Sequence, residues 1–288
     1  MAKCTKCNLC DHPGTLAEAV ERGPVPCNVR EFRDDIFTFW RCTGCGSIHC
    51  EEDADLARYY AHYPLKNQNL TFSERIGYQN RVRRLARQGL LSSHRVLDYG
   101  CGNGVFVDFL RKRGFQHTFG YDAFVPAYCE AHRLEESYDA VVSYDVIEHD
   151  DDPRDFMRRI SRLVRRGGLL AIGTPNASHL TIARKDDPSL HAPYHRHILS
   201  ERTLLNLAGE QGMTPVDIYR RSFYDSLVPT VNSRFMWQYI RKSGGMLDAA
   251  VEPPDSGLVL RSPEMIFLAF FGYFLPLRNN ILVTFRRT

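Results

Sequence analysis

An acidic residue followed by three alternating glycines is the group in this sequence whose spacing best predicts chemistry. Its members are Asp98, Gly100, Gly102 and Gly104. The apolar run 94–99 predicts a buried parallel strand, and residues 105–113 predict the helix that follows it. At such a crossover a ligand can lie against bare backbone, and the first N–H groups of the helix can face an anionic group. We therefore expect a turn that binds a nucleotide cofactor.

The spacing of the glycines distinguishes between two kinds of cofactor. A dinucleotide fingerprint is G-x-G-x-x-G, with the helix start facing a pyrophosphate, whereas here the third glycine comes one residue earlier. S-adenosylmethionine has no pyrophosphate, but it carries an ammonium group that suits Asp98 and a ribose that suits a second acid. Asp122 closes the next apolar run, 117–121, at about the distance where a ribose-binding acid is expected. The pattern favours S-adenosylmethionine.

A third apolar run, 138–144, continues into Asp-Val-Ile-Glu-His at 145–149. The series D-x-G-x-G-x-G, acid, D-V-I-E-H resembles the class I S-adenosylmethionine-dependent methyltransferases. The resemblance implies an α/β fold, a Rossmann-like doubly wound and mostly parallel sheet, and an enzyme that transfers methyl groups. Such enzymes usually have a further strand before D-V-I-E-H, and its end contacts adenine. Only the fifteen residues 123–137 are available for it, so we expect that strand to be short or absent. The candidate adenine contacts are then Tyr144, Asp145 and Val146.

Seven of the nine cysteines lie in the first fifty residues. In a reducing compartment such clustering indicates metal binding rather than disulfides. Two C-x-x-C pairs predict a closed tetrahedral site for one structural zinc ion, with the ligands Cys7, Cys10, Cys42 and Cys45. Cys4 would serve equally well in place of Cys10, and His49 or Cys50 could substitute, so the register stays open. Zinc would stabilise a segment with little apolar core of its own.

Histidines are concentrated beyond the last predicted parallel strand. His191, His195 and His197 precede a helix capped by Ser200, hence lie at the carboxyl edge of the sheet, where ligands bind. Histidine can accept a proton near neutral pH. The segment 195–200 resembles the H-x-x-x-x-S/T run of ubiquinone-type O-methyltransferases, which implies a catalytic base at His195. His149 also ends a strand at this edge and is the second catalytic candidate. For each histidine, a substrate-orienting or capping role is the alternative.

The pattern along the chain predicts five segments. They are a zinc-binding module at 1–50, a connecting helical segment at 51–92, a cofactor-binding core at 93–222, an aromatic-rich insertion or substrate cap at 223–279, and the last strand of the core sheet at 280–288. A helix is predicted from Ser73 to about Leu91, and its arginines favour a solvated face over a contact with an anion. Gly167-Gly168 predicts a helix end followed by a strand from Leu169. Strands at 216–220 and 280–286 predict an antiparallel edge.

Composition and charge set limits on location and partners. The content of 43% hydrophobic and 25% charged residues is that of a globular protein. A net charge of +3 gives no reason to expect nucleic-acid binding. The chain opens without a charged segment followed by an apolar one, so we expect a cytoplasmic location. Residues 265–277 are almost entirely apolar but too few to span a bilayer. They predict a buried cap helix, with contact to a membrane or a lipid-linked substrate as the alternative.

These patterns favour methyl transfer to a small-molecule acceptor. The order of zinc knuckle, Tyr-Tyr and D-x-G-x-G resembles bacterial enzymes that modify sugars, cell-envelope intermediates or natural products, and O-methylation is preferred. RNA methylation is the first alternative. Because no N-P-P-Y type of motif for exocyclic amines follows Tyr144, it is expected at ribose or a ring nitrogen. A cofactor-binding scaffold without activity is the second, and the intact acids and glycines argue against it. The acceptor and the oligomeric state stay open.

Overall fold

The structure of the protein, a computed structural model, describes residues 3–64 and 70–288. The strands are β1 Arg22–Pro26, β2 Ile36–Arg41, β3 Ile48–Cys50, β4 Val96–Tyr99, β5 Thr118–Tyr121, β6 Tyr138–Tyr144, β7 Val164–Pro175, β8 His197–Ile198, β9 Met213–Tyr219 and β10 Asn280–Arg287. The α-helices are α1 Leu56–Ala61, α2 Phe72–Arg87, α3 Val105–Arg111, α4 Pro153–Arg162, α5 Glu201–Gly209, α6 Ser233–Lys242, α7 Ser256–Leu260 and α8 Pro263–Phe271.

A six-stranded sheet in the order β5-β4-β6-β7-β10-β9 forms the centre of the fold. The first four strands are parallel, and β10 runs antiparallel to both β7 and β9. The predicted α/β class and the antiparallel edge are confirmed. Residues 123–137, all of them described, form two 3-10 turns and no strand, which agrees with the short connection. β6 is buried at six of its seven positions, as expected for a central parallel strand.

Two element boundaries predicted from the sequence are wrong. The helix α2 starts after the cap Thr71, because Thr71 and Glu74 form a capping box. It ends at Arg87, before the predicted end near Leu91. The pair Gly167-Gly168 does not separate a helix from a strand, since β7 begins at Val164 and continues through both glycines. The pairing of β7 with β6 shifts register there, and Gly167 has a φ of 76°. The glycines therefore allow a bulge inside one long strand.

A smaller antiparallel sheet, β1-β2-β3-β8, contains the three strands of the amino-terminal region. Its last strand comes from residues 197–198, far along the chain, and pairs with β3. The sheet is therefore not confined to residues 1–50. Trp40 of β2 shares one buried core with Phe156 of α4 and Leu204 of α5. This packing fixes the small sheet against the helices on one face of the large sheet.

The insertion between β9 and β10 forms a small helical layer. Phe235, Met265 and Leu268 are buried between α6 and α8. The prediction of a buried helix over 265–277 is wrong in part, because α8 ends at Phe271 and one side of it is exposed. The exposed apolar residues are Ile266, Phe267, Phe270, Phe271, Phe274 and Leu275. Among the described residues, no helix is both long enough and apolar enough to cross a membrane.

Candidate active site

The predicted glycine turn connects β4 to α3 at the carboxyl edge of the large sheet. Gly100, Gly102 and Gly104 have φ angles of 80°, 52° and 74°, a region that favours glycine. A Cβ on Gly100 would lie 2.3 Å from Cγ2 of Val146, so the turn is closely packed on that side. A Cβ on Gly102 would meet no described atom within 4 Å. The backbone at Gly102 therefore borders open space that a ligand can enter.

Two carboxylates lie beside this turn. Asp98 is the third residue of β4 and is 4% exposed, and Asp122 follows β5. Asp122 accepts hydrogen bonds from the N–H of Gly102 at 2.9 Å and from the N–H of Phe124 at 2.9 Å. Burial raises the pKa of Asp98 to about 7, with nearby Arg81 lowering it and Asp122 raising it. Desolvation favours the neutral form of a buried carboxyl, and a cationic group of a bound ligand would lower its pKa again.

Arg81 is a site residue that was not predicted from the sequence. The prediction of a solvated arginine face on this helix is wrong for Arg81, which is 4% exposed. Its guanidinium carbon lies 3.7 Å from the ring centre of Phe223 and 4.1 Å from that of Tyr144. Within the described residues its Nε has no hydrogen-bond partner. A fully buried guanidinium that neighbours Asp98 keeps positive charge next to the glycine turn.

Tyr144 and Asp145, the candidate adenine contacts, lie where β6 ends. The hydroxyl of Tyr144 is buried without a hydrogen-bond partner in the part of the chain that the structure describes. Asp145 is exposed and has a φ of 55°, which is rare for a residue with a side chain. Its N–H donates to the carbonyl of Gly173 in β7 at 2.8 Å, and this bond holds the turn. Backbone strain of this kind is common at functional sites.

His149 and His195 are brought together at the same edge of the sheet. Their ring centres are 4.9 Å apart, and the ring centre of His191 is 5.0 Å from that of His195. Glu148, the acid of the D-V-I-E-H motif, has Oε1 3.9 Å from Nε2 of His195. Its Oε2 accepts a hydrogen bond from Oγ1 of Thr174 at 2.9 Å. The structure thus adds a fully buried carboxyl to the predicted histidines.

Burial keeps these histidines uncharged. It lowers the pKa of His149 to about 4, and it lowers the pKa of His195 well below 6.5, with His149 and His191 adding to the effect. Burial likewise raises the pKa of Glu148, and the nearby charge of Asp145 raises it further. His197 lies elsewhere, with Nδ1 2.8 Å from Nδ1 of His49 inside the small sheet. We assign His197 to the packing of that sheet and not to the site.

Aromatic side chains from the connecting segment flank the histidines. The hydroxyl of Tyr60, in α1, lies 3.1 Å from Nδ1 of His149. The ring centre of Tyr63 is 5.6 Å from that of His191, and both rings pack on Tyr194. The tyrosine-bearing stretch that follows β3 therefore reaches the candidate site. Such a surface favours a planar or apolar part of a ligand.

The four predicted cysteine sulfurs converge beside the turn between β2 and β3 of the small sheet. The Sγ atom of Cys7 is 3.8 Å from that of Cys10 and 3.7 Å from that of Cys45, and Cys10 is 3.9 Å from Cys42. All four sulfurs lie within 4.8 Å of one another. Zinc–sulfur bonds of about 2.3 Å in a tetrahedron require sulfur separations of about 3.8 Å. The cluster contains Cys10, whereas Cys4 groups with His49 and His197. The geometry therefore fits one metal ion with Cys10, and not Cys4, as the fourth ligand.

Comparison with known proteins gives the family. Residues 72–218 match the family model described as a methyltransferase domain. Ubiquinone biosynthesis O-methyltransferase from Aeromonas salmonicida (strain A449) is 30% identical over 112 residues, covering 31% of this chain and 47% of that protein. The same enzyme from Yersinia pestis (strain Pestoides F) is 28% identical over 113 residues, covering 32% and 47%. The chain spans about half the length of the curated relatives it matches.

A solved structure agrees with this grouping at the level of the fold. The crystal structure of a candidate sarcosine dimethylglycine methyltransferase from Galdieria sulphuraria superposes with a TM-score of 0.51 at 16% identity, covering 82% of this chain and 99% of that one. The matched family region spans α2 to β9 and includes the glycine turn and the histidine segment. Residues 72–218 therefore form a class I S-adenosylmethionine-dependent methyltransferase domain, and the chain belongs to the methyltransferase-domain family.

Proposed function

We propose that this protein transfers the methyl group of S-adenosylmethionine to a hydroxyl group of a small-molecule acceptor. The observation that carries the proposal is the convergence of two groups at one sheet edge. The acids Asp98 and Asp122 flank the glycine turn, and the uncharged histidines His149 and His195 lie beyond β6 and β7. The O-methyltransferase relatives support oxygen as the acceptor atom.

The cofactor is expected to lie along the glycine turn. When bound it supplies a methyl group on a sulfonium, which needs no further activation. Asp98 would receive the ammonium group and Asp122 the ribose hydroxyls, while the open backbone at Gly102 allows close approach. Tyr144 and Asp145 are the candidates for contact with the adenine. Arg81 maintains positive charge near Asp98 and so helps to keep that carboxyl ionised.

The histidines would act on the acceptor. A hydroxyl must lose its proton as the carbon–oxygen bond forms, and we assign His195 as the proton acceptor, with His149 as the second candidate. Nδ1 of His195 lies 2.8 Å from the carbonyl of Ser189, so Nδ1 carries the hydrogen and Nε2 has the lone pair. The tyrosines Tyr60 and Tyr63 would exclude water and pack on the acceptor.

We also propose that Cys7, Cys10, Cys42 and Cys45 bind one structural zinc ion. The sulfur separations support this, as does the hydrogen bond of 3.4 Å from the N–H of Leu9 to the sulfur of Cys7. Four sulfur ligands leave no position for a substrate, so the ion would act on folding and not on catalysis.

Transfer of a labelled methyl group tests the function. The protein is incubated with labelled S-adenosylmethionine and cell extract that is separated into RNA and small molecules, and we expect label in a small molecule with an ether or ester oxygen. Asp122→Ala should weaken cofactor binding by at least about tenfold, or about 1.4 kcal/mol. Asp34→Ala is the matched control, since that side chain is 95% exposed. Label in RNA alone, or an unchanged affinity in Asp122→Ala, would contradict the proposal.

A further inference from the structure

His191 has a buried nitrogen that no described residue satisfies. The side chain lies in the segment between β7 and β8 and is 4% exposed, and within residues 3–64 and 70–288 its Nε2 has no hydrogen-bond partner. A buried polar atom without a partner is costly, so native structures rarely keep one unless a ligand or water binds it. The ring centre of His191 is 5.0 Å from that of His195, so this ring lies next to the proposed proton acceptor.

Asn28 determines which nitrogen of His191 is free. Nδ1 of His191 lies 2.5 Å from Oδ1 of Asn28, and an amide oxygen can only accept, so Nδ1 donates. Burial lowers the pKa of His191 to about 3, with His149 adding to the effect, so the ring is uncharged and Nε2 has a lone pair. The ring stacks on Tyr194, with centres 4.4 Å apart and planes 10° apart, which fixes its orientation. Nε2 can therefore accept a hydrogen bond and cannot donate one.

Asn28 comes from outside the matched family region. It follows β1, whereas the family model covers residues 72–218. Its carbonyl oxygen accepts a hydrogen bond from the N–H of Leu247, in the insertion, at 2.7 Å. Two residues further on, the guanidinium of Arg30 donates to both carboxylate oxygens of Glu252, at 2.5 and 2.9 Å. Asn28 thus lies where the small sheet, the insertion and the histidine segment meet.

We propose that His191 binds a second hydrogen-bond donor of the acceptor, near the hydroxyl that His195 deprotonates, and that Asn28 is the positioning residue for this contact. The inference rests on the proposed function. An acceptor with a hydroxyl or amine group at this point satisfies the buried lone pair, whereas an acceptor without one leaves the nitrogen desolvated and unpaired. The site therefore favours small molecules with two neighbouring polar groups over simple alcohols. Part of this selectivity comes from a residue that the family region does not contain.

Methyl transfer by the full-length protein tests the contact. The acceptor is the small-molecule fraction of cell extract that takes up label, and its apparent KM is measured by dilution of that fraction. His191→Phe keeps a planar ring that can stack on Tyr194 and removes both nitrogens. We expect an apparent KM raised at least about tenfold, with kcat and the affinity for S-adenosylhomocysteine changed less than about threefold, because the lost contact is away from the reacting oxygen. His117→Phe, at an exposed position directly before β5, is the matched control and should leave KM unchanged.

Two variants of Asn28 separate positioning from a merely structural role. Asn28→Ala should raise the apparent KM at least about threefold, since His191 loses the partner that holds its tautomer. Asn28→Asp keeps an oxygen that accepts from Nδ1, so at about pH 8 its KM should stay within about twofold of the wild-type value. Asn206→Ala, at an exposed position on α5, is the matched control and should have no effect.

Histidine NMR gives a readout that does not need methyl transfer. The protein is labelled with ¹⁵N on histidine, and the signals of His191 are identified by their absence in His191→Phe. We expect a protonated Nδ1 and an unprotonated Nε2 in the wild-type protein, and a mixture of tautomers in Asn28→Ala. A protonated Nε2 in the wild-type protein, or an unchanged KM in His191→Phe, overturns the inference even if a small molecule is methylated. If label enters no small molecule, the proposed function and the acceptor contact both fail, while the tautomer decides the pairing of Asn28 with His191 by itself.

Discussion

Cofactor affinity should depend on the ionisation of Asp98. Burial raises the pKa of this carboxyl to about 7 in the cofactor-free protein. The ammonium group of the cofactor binds only the ionised form, so binding must remove the proton, and affinity should fall as the pH is lowered through 7. The apparent dissociation constant equals the intrinsic one divided by the ionised fraction.

The expected size follows from that fraction. Asp98 would be ionised to about one half at pH 7 and about one tenth at pH 6, so affinity should fall about fivefold between these values and about fifteenfold by pH 5.5. Binding at pH 7 should also release about half a proton per cofactor. Arg81 lowers the pKa of Asp98, so Arg81→Gln should move the fall in affinity to higher pH.

Calorimetry with S-adenosylhomocysteine between pH 5.5 and 7 measures both quantities. Repeating the titration in two buffers of different ionisation enthalpy gives the number of protons released. Asp98→Asn is the matched control, since it keeps the shape of the side chain and removes the titration, so its weaker affinity should not vary with pH. A wild-type affinity that is flat over this range, without proton release, would refute the assignment of Asp98 to the ammonium group.

Three further predictions concern the acceptor, the metal and the turn. His195→Ala should lower turnover by two or more orders of magnitude, about the effect of losing a catalytic base, while cofactor affinity measured by calorimetry stays within about twofold; near-normal turnover would make this histidine structural. Cys42→Ser should lose the zinc detected by elemental analysis and lower turnover without abolishing cofactor binding; full zinc content in this variant would exclude Cys42 as a ligand. Gly100→Ala should lower the free energy of unfolding by more than about 1–2 kcal/mol in denaturant titrations, because its φ of 80° is costly for alanine and the added Cβ would lie 2.3 Å from Cγ2 of Val146; an unchanged midpoint would contradict this.

Local patterns in the sequence were sufficient for the elements around the cofactor turn. β6 occupies Tyr138–Tyr144 as predicted, because a continuous apolar run is typical of a central parallel strand. The short connection 123–137 also followed from length alone. The sequence does contain a signal for Arg81, since it falls on the same helical stripe as Tyr78, Val82 and Leu85, all of them buried. A charged residue on an apolar stripe is a candidate for a buried functional group.

Contacts between distant segments could not be predicted in the same way. The two-residue strand β8 has no periodicity of its own, and it exists because residues 48–49 pair with it. The burial of Glu148 depends on the approach of Thr174 and His195, which the turn 145–149 does not encode. For α8, by contrast, burial was predicted and one side is exposed. Its apolar composition predicted burial, but the helical layer formed by α6 and α7 covers only one side, so contact of this surface with a membrane or lipid-linked substrate stays a prediction.

The small sheet is connected to the candidate site through Arg196. The carbonyl oxygen of Arg196 accepts a hydrogen bond from the N–H of Cys50 at 3.0 Å. The N–H of Arg196 donates to the carbonyl oxygen of Glu148 at 2.8 Å. One residue thus bonds β3 on one side and the 3-10 turn of the site on the other, directly after His195. The hydroxyl of Ser200 donates to the carbonyl of Cys45 at 2.8 Å, which ties the same segment to the cysteine cluster. These bonds hold the segment of His195 and the turn of Glu148, so disorder in the small sheet should displace both side chains. Loss of zinc is therefore expected to affect turnover more than cofactor binding.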